Sequence, residues 1–188
     1  MTSSSNKATA ATLTLGTLGV AYPFVVYFAL GRVPSAALVL MALALVGARI
    51  ALVRGAATAR PLLPPLVTAA IATAGLAVVD AGVAAKAYPV AMSLAFAAAF
   101  ALSLVRPPSL VELFASLAEP APSPGARTYM RRVSLVWCLF LVANAAISAA
   151  TALWADTWMW ALYNGLLSYL LMGALFLAEW LVRRRVRR

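Results

Sequence analysis

Six stretches of this chain contain no charged residue: Ala8–Gly31, Val33–Ala48, Pro61–Val79, Ala87–Val105, Val133–Ala155 and Thr157–Ala178, of 24, 16, 19, 19, 23 and 22 residues. A helix crossing a hydrocarbon core of about 30 Å needs about 20 apolar residues, within a range of about 17–25. Five runs meet that length as they stand. The second meets it if Arg49 snorkels, laying its stem in lipid and its guanidinium at the interface. A spanning segment must satisfy its own backbone hydrogen bonds, which leaves the helix or the closed barrel. Barrel strands alternate apolar and polar residues, whereas AALVLMALALVG (36–47) is apolar throughout. The expectation is an all-α, polytopic helical membrane protein of about six transmembrane helices.

Composition agrees. Soluble domains run at about 45–50% apolar and about 25% charged residues. Here the figures are 64% and 11%, with a mean hydropathy of +0.94. The chain therefore reads as a single integral membrane domain over 1–188. Its spans are expected at about 10–31, 33–53, 61–80, 86–105, 133–155 and 157–181. The first run is too long for the core of a cleaved leader, usually about 7–15 residues, and no small-x-small site follows it, so it is expected to be retained.

The net charge of +10 and the ending LVRRRVRR raise the question of nucleic acid. Basic nucleic-acid binders spread their charge over a polar reading surface, which this chain lacks. With both termini inside, the inner segments carry thirteen Lys and Arg and the outer loops only Arg32 and Lys86. That split follows the positive-inside rule and predicts a bacterial inner-membrane protein with both termini cytoplasmic. The polybasic tail, 183–188, is expected to lie against anionic inner-leaflet lipids, each arginine adding about 1 kcal/mol before screening. Membrane lipids and other envelope proteins are the expected partners, and nucleic acid is not.

The longest connection, 106–132, is cytoplasmic in this arrangement. Ser109 and Glu112 have capping-box spacing, and Leu110, Leu113, Phe114 and Leu117 follow at helical intervals. An interfacial helix is expected at 109–118, with Leu113 and Phe114 toward lipid and Ser123 in water. The alternative is a solvated connector.

Chemistry-bearing groups are few. There is no histidine, Cys138 is the one cysteine, and the five acidic residues are Asp80, Glu112, Glu119, Asp156 and Glu179. No pair of them has the spacing of a carboxylate dyad, and no phosphate-binding glycine loop occurs. No catalytic, metal or cofactor residue is assigned, and the chain is not expected to be an enzyme. Boundary ion pairs are expected among Asp80, Lys86 and Arg32, and between Glu179 and Arg183 or Arg49. An outer cation or proton entry site at Asp80 is the other reading of that residue.

Small residues recur every fourth position at Ala69, Thr73, Ala77, Ala81 and Ala85 in the third span, and at Ala91, Ala95 and Ala99 in the fourth. Such ladders allow close helix packing in lipid. The tripeptide AYP occurs at Ala21–Pro23 and Ala87–Pro89; Pro23 falls mid-span, whereas Pro89 is expected in a first turn. A short turn around Asp156 makes the last two spans an antiparallel hairpin. Asn144 then lies level with Ser168, and Ser148 with Asn164, and a polar ladder joining each pair is expected. The alternatives are serines bonded to their own backbone and asparagines turned elsewhere.

The blocks YPFVVYFALGR, KAYPVAMSLAF, RPPSLVELFASL and YMRRVSLVWCLFLVANAAISAATALWADTWMWALYNG carry a resemblance over about Tyr22 to Arg184. They resemble the intracellular septation protein A family, and more closely a bacterial membrane-protein family that often accompanies aryl polyene biosynthesis genes. Trp137, Asn144, Trp158 or Trp160, and Asn164 are the most specific positions. The resemblance implies a polytopic inner-membrane protein linked to the cell envelope, to septation or to membrane handling of polyene lipids. It brings no agreed catalytic set. The expectation is a non-enzymatic accessory or scaffold protein of envelope biogenesis; the alternatives are a small transporter or lipid-handling component for apolar cargo, and a membrane-embedded enzyme.

Overall fold

A computed structural model describes the backbone of residues 2–55, 61–116 and 124–186, and the side chains of 14–55, 61–116 and 125–184. The described residues form helices and no strand: α1 (Thr2–Ala29), α2 (Ser35–Arg54), α3 (Leu63–Val79), α4 (Ala81–Val105), α5 (Leu110–Ala115), α6 (Pro124–Trp154), α7 (Thr157–Leu162) and α8 (Ser168–Val186), with a π-helical turn, Tyr163–Leu167, between the last two. Among the described residues, four helices are long and apolar enough to cross a membrane: Ser35–Arg54, Ala81–Val105, Gly125–Trp154 and Thr157–Arg184. Thr14–Ala29 and Leu63–Val79 are shorter apolar helices. The architecture is that of a helical membrane protein.

Helix α4 holds the centre, packed between α3 and α6 and touching α2. Helix α1 packs on α2, on α7 and on the π turn. The core is made of small residues and a few rings, including Tyr22, Val26, Ala42, Val46, Ala84, Ala85 and Trp160, all essentially buried. Large apolar side chains cover the outside instead: Val78, Val79, Val105 and Trp154 are each more than three-quarters exposed. That inversion suits a lipid solvent, where small residues pack helices and large ones face the chains.

Asp80 alone separates α3 from α4. Its carboxylate accepts from the amides of Gly82 (2.7 Å) and Val83 (2.9 Å), the usual work of an N-cap. Helix α4 therefore starts at Ala81, ahead of the expected start of the fourth span at Lys86. Ala81 and Ala85 belong to α4 rather than to the third span, so the first small-residue ladder is divided between two helices.

Lys86 thus lies inside α4, and so does Pro89, which does not occupy a first turn. A proline inside a helix leaves the carbonyl four residues earlier without its donor. Here that carbonyl belongs to Ala85, and the buried Tyr22 hydroxyl donates to it at 2.8 Å. The second AYP motif is completed by the tyrosine of the first, and the Tyr22 and Tyr88 rings meet with centroids 4.6 Å apart.

Helix α5 is docked by serines. Its first amides donate to Ser103 Oγ from Leu110 (2.9 Å), to Ser134 Oγ from Val111 (3.3 Å) and to Ser109 Oγ from Glu112 (3.4 Å). Glu112 pairs with Arg127 on α6 at 3.4 Å rather than closing a capping box. Leu110 is buried, Leu113 half-buried and Phe114 exposed. Leu117, Glu119 and Ser123 lie outside the described residues, as do the side chains of Arg185, Arg187 and Arg188 in the tail.

Candidate functional site

Between α1, α2, α4, α6 and the α7–α8 segment lies a chamber of about 310 Å³. Its polar lining is Arg49, Tyr88, Ser93, Asn144, Asn164, Ser168 and Tyr169. Ligand cavities run at about 300–1,000 Å³, so the chamber stands at the small end of that range.

Each polar group arrives by a separate local cause. Arg49 is half-buried and turns toward α1. It donates to the Leu15 carbonyl of α1 at 3.2 Å, and its guanidinium lies so close to Gly19 that a Cβ there would collide with Nη2. The expected reach from Arg49 to Glu179 does not form, because Glu179 pairs with Arg183 one turn along α8. At the other boundary, Arg32 turns to the Phe28 carbonyl (2.6 Å) and Asp80 serves α4 as its cap. The ion pairs among the described residues therefore leave out Asp80, Lys86 and Arg32.

The expected ladder is present in one rung. Ser148 donates to Asn164 Oδ1 at 2.6 Å, and Asn164 in turn donates to the Trp160 carbonyl at 2.9 Å. The second rung is replaced. Asn144 donates to Ser93 Oγ on α4 at 3.0 Å and accepts from the Tyr163 hydroxyl at 2.9 Å, while Ser168 turns back to the Asn164 carbonyl at 3.3 Å. A π turn, Tyr163–Leu167, carries Asn164 and ends just before Ser168, so the spacing of the two departs from that of a regular α-helix, although both still line the chamber. Gly165 lets that turn seat against α1, since a Cβ there would overlap the Phe24 ring.

Tyr88 stands apart. It is 4% exposed, lines the chamber, and its hydroxyl has no hydrogen-bond partner among the described residues. A second, apolar pocket of about 560 Å³ adjoins the chamber through Phe96, Leu141 and Met172, which line both. Its wall includes Phe100, Trp137 and Phe176, with the Trp137 and Phe176 centroids 4.4 Å apart. Helix α5 borders it through Val111 and Phe114, and the Glu179–Arg183 pair lies at its edge.

Sequence reasoning missed Tyr88, Ser93, Tyr163 and Tyr169. The repeated AYP motif was the available signal for Tyr88, and Ser93 is a polar residue in an otherwise apolar run. Among the described residues no group of three or more His, Cys, Asp or Glu could hold a metal ion. Comparison with protein-family models, with curated proteins and with solved structures finds no match.

Proposed function

We propose that this chain is a six-span inner-membrane protein, with both termini cytoplasmic, that holds or moves a lipid-like amphiphile in the cell envelope. The observation that carries the reading is the polar chamber beside an aromatic-walled apolar pocket, with Phe96, Leu141 and Met172 lining both. A scaffold needs only packed helices and a partner face. Polar and ionisable groups placed inside a membrane bundle are costly and mark ligand or ion pathways. The thirteen-to-two charge split supports the topology, with α1 and α3 as the remaining two spans. The resemblance to the family that accompanies aryl polyene genes supports an apolar cargo, and the arginine tail suits anionic inner-leaflet lipids.

The test is a strain lacking the gene, complemented with wild type or with Ser168→Phe, which fills the chamber. Extractable envelope lipids should change on deletion and return with wild type alone. Unchanged lipids with disturbed cell shape would reject lipid handling in favour of the scaffold.

A further inference from the structure

We infer that the chamber recognises the anionic headgroup of a single-chain amphiphile, with Arg49 and Tyr88 as headgroup donors and the chain lying toward Trp137. This inference rests on the lipid-handling reading and adds the ligand's chemical class.

Among the described residues, the chamber's lining contains one charged side chain, Arg49, and no acidic one. The ion pairs among the described residues, Glu112–Arg127 and Glu179–Arg183, do not include it. A partly buried guanidinium is stabilised by an anion, and its planar fork of donors suits carboxylate and phosphate oxygens. Its contact with Leu15 uses one of five donors. The second observation is independent. Tyr88 keeps a buried hydroxyl unpaired on the same chamber, and a buried donor without an acceptor is unfavourable. One anionic oxygen group would satisfy both.

The remaining lining fixes what accompanies that group. Asn144 and Asn164 are already committed to Ser93, Tyr163, Ser148 and Trp160, so they form a rigid polar wall. On the side of Phe96, Leu141 and Met172, which line both spaces, the chamber borders the apolar pocket that holds Trp137. A small free anion would leave that pocket unused, whereas an acyl or alkyl chain fills it. Carboxylate and phosphate heads share this chemistry, and the test separates them.

The full chain in phosphatidylcholine nanodiscs is titrated with tritiated laurate, and bound label is competed with dodecyl phosphate, dodecanol, acetate and inorganic phosphate. Laurate should bind saturably. Dodecanol should compete about tenfold more weakly than the better anionic amphiphile, as expected for loss of a charge-assisted bond. Acetate and phosphate should not compete at matched concentrations. The stronger of laurate and dodecyl phosphate identifies the head as carboxylate or phosphate, and either order supports the inference.

Arg49→Gln should weaken binding about tenfold or more, and Tyr88→Phe by several-fold. Tyr88→Phe removes a hydroxyl that bonds nothing among the described residues, so it remains informative if Arg49→Gln fails to fold. Equal binding of dodecanol, with both variants unaffected, overturns anion recognition while leaving amphiphile handling intact. Competition by acetate or phosphate overturns the amphiphile. No saturable binding of any probe overturns both readings.

Discussion

The Tyr22 hydroxyl donates at 2.8 Å to the Ala85 carbonyl, the acceptor that Pro89 leaves without a backbone donor. The bond spans α1 and α4 between two buried residues. Tyr22→Phe should destabilise the protein by about 1–3 kcal/mol, the cost of an orphaned buried group. Pro89→Ala restores a backbone donor to Ala85, so the double variant should lose less than the sum of the two single variants. Thermal unfolding in one detergent measures the cycle, and additive effects would show that the bond does not replace the missing helical one.

Gly165 sits in the π turn under the Phe24 ring. Gly165→Ala forces three ring atoms aside, and overpacking of this kind costs about 1–3 kcal/mol. Gly165→Ala with Phe24→Leu should recover part of the loss. Equal melting of Gly165→Ala and wild type would show that the turn does not need this close approach.

Gly19→Ala meets a different obstacle, the end of the flexible Arg49 side chain. The guanidinium can swing aside, so stability should change by less than about 1 kcal/mol. Laurate binding in nanodiscs should nevertheless weaken several-fold, because the arginine leaves its place over Gly19. Unchanged binding would separate Arg49's position from recognition.

The all-helical class was legible because the signal is local: long apolar runs punctuated by charge. The start of α4 was not, since Lys86 reads as a boundary while Asp80 does the capping through two short amide bonds. The Ser148–Asn164 pairing followed from a tight hairpin about Asp156, whose own carboxylate caps α7 through Met159 at 2.7 Å. The π turn leaves no mark in apolar periodicity, and no local signal shows that Ser168 bonds the Asn164 carbonyl. Ser93 meets Asn144 only because α4 packs on α6, and that adjacency is tertiary.

The proposed topology is checked by a reporter active only in the periplasm. Fused after Arg188 it should be silent, and inserted near Asp156 it should be active, as the positive-inside rule requires. Activity at both places, or the reverse pattern, would reject the six-span arrangement.

Cross-linking distinguishes the observed polar network from a simple two-rung ladder. Asn144 bonds Ser93 and Tyr163, and Ser148 bonds Asn164, whereas Ser168 bonds its own helix. With Cys138 replaced by alanine, cysteine pairs at 93/144 and 148/164 should oxidise readily, and 144/168 should lag well behind. Replacing Asn164 by alanine leaves the buried Ser148 hydroxyl without its acceptor and should cost about 0.6–2 kcal/mol, the range for interhelical bonds in bundles. If 144/168 linked as fast as 148/164, the two-rung ladder would describe the hairpin better than the Asn144 bonds to Ser93 and Tyr163 do.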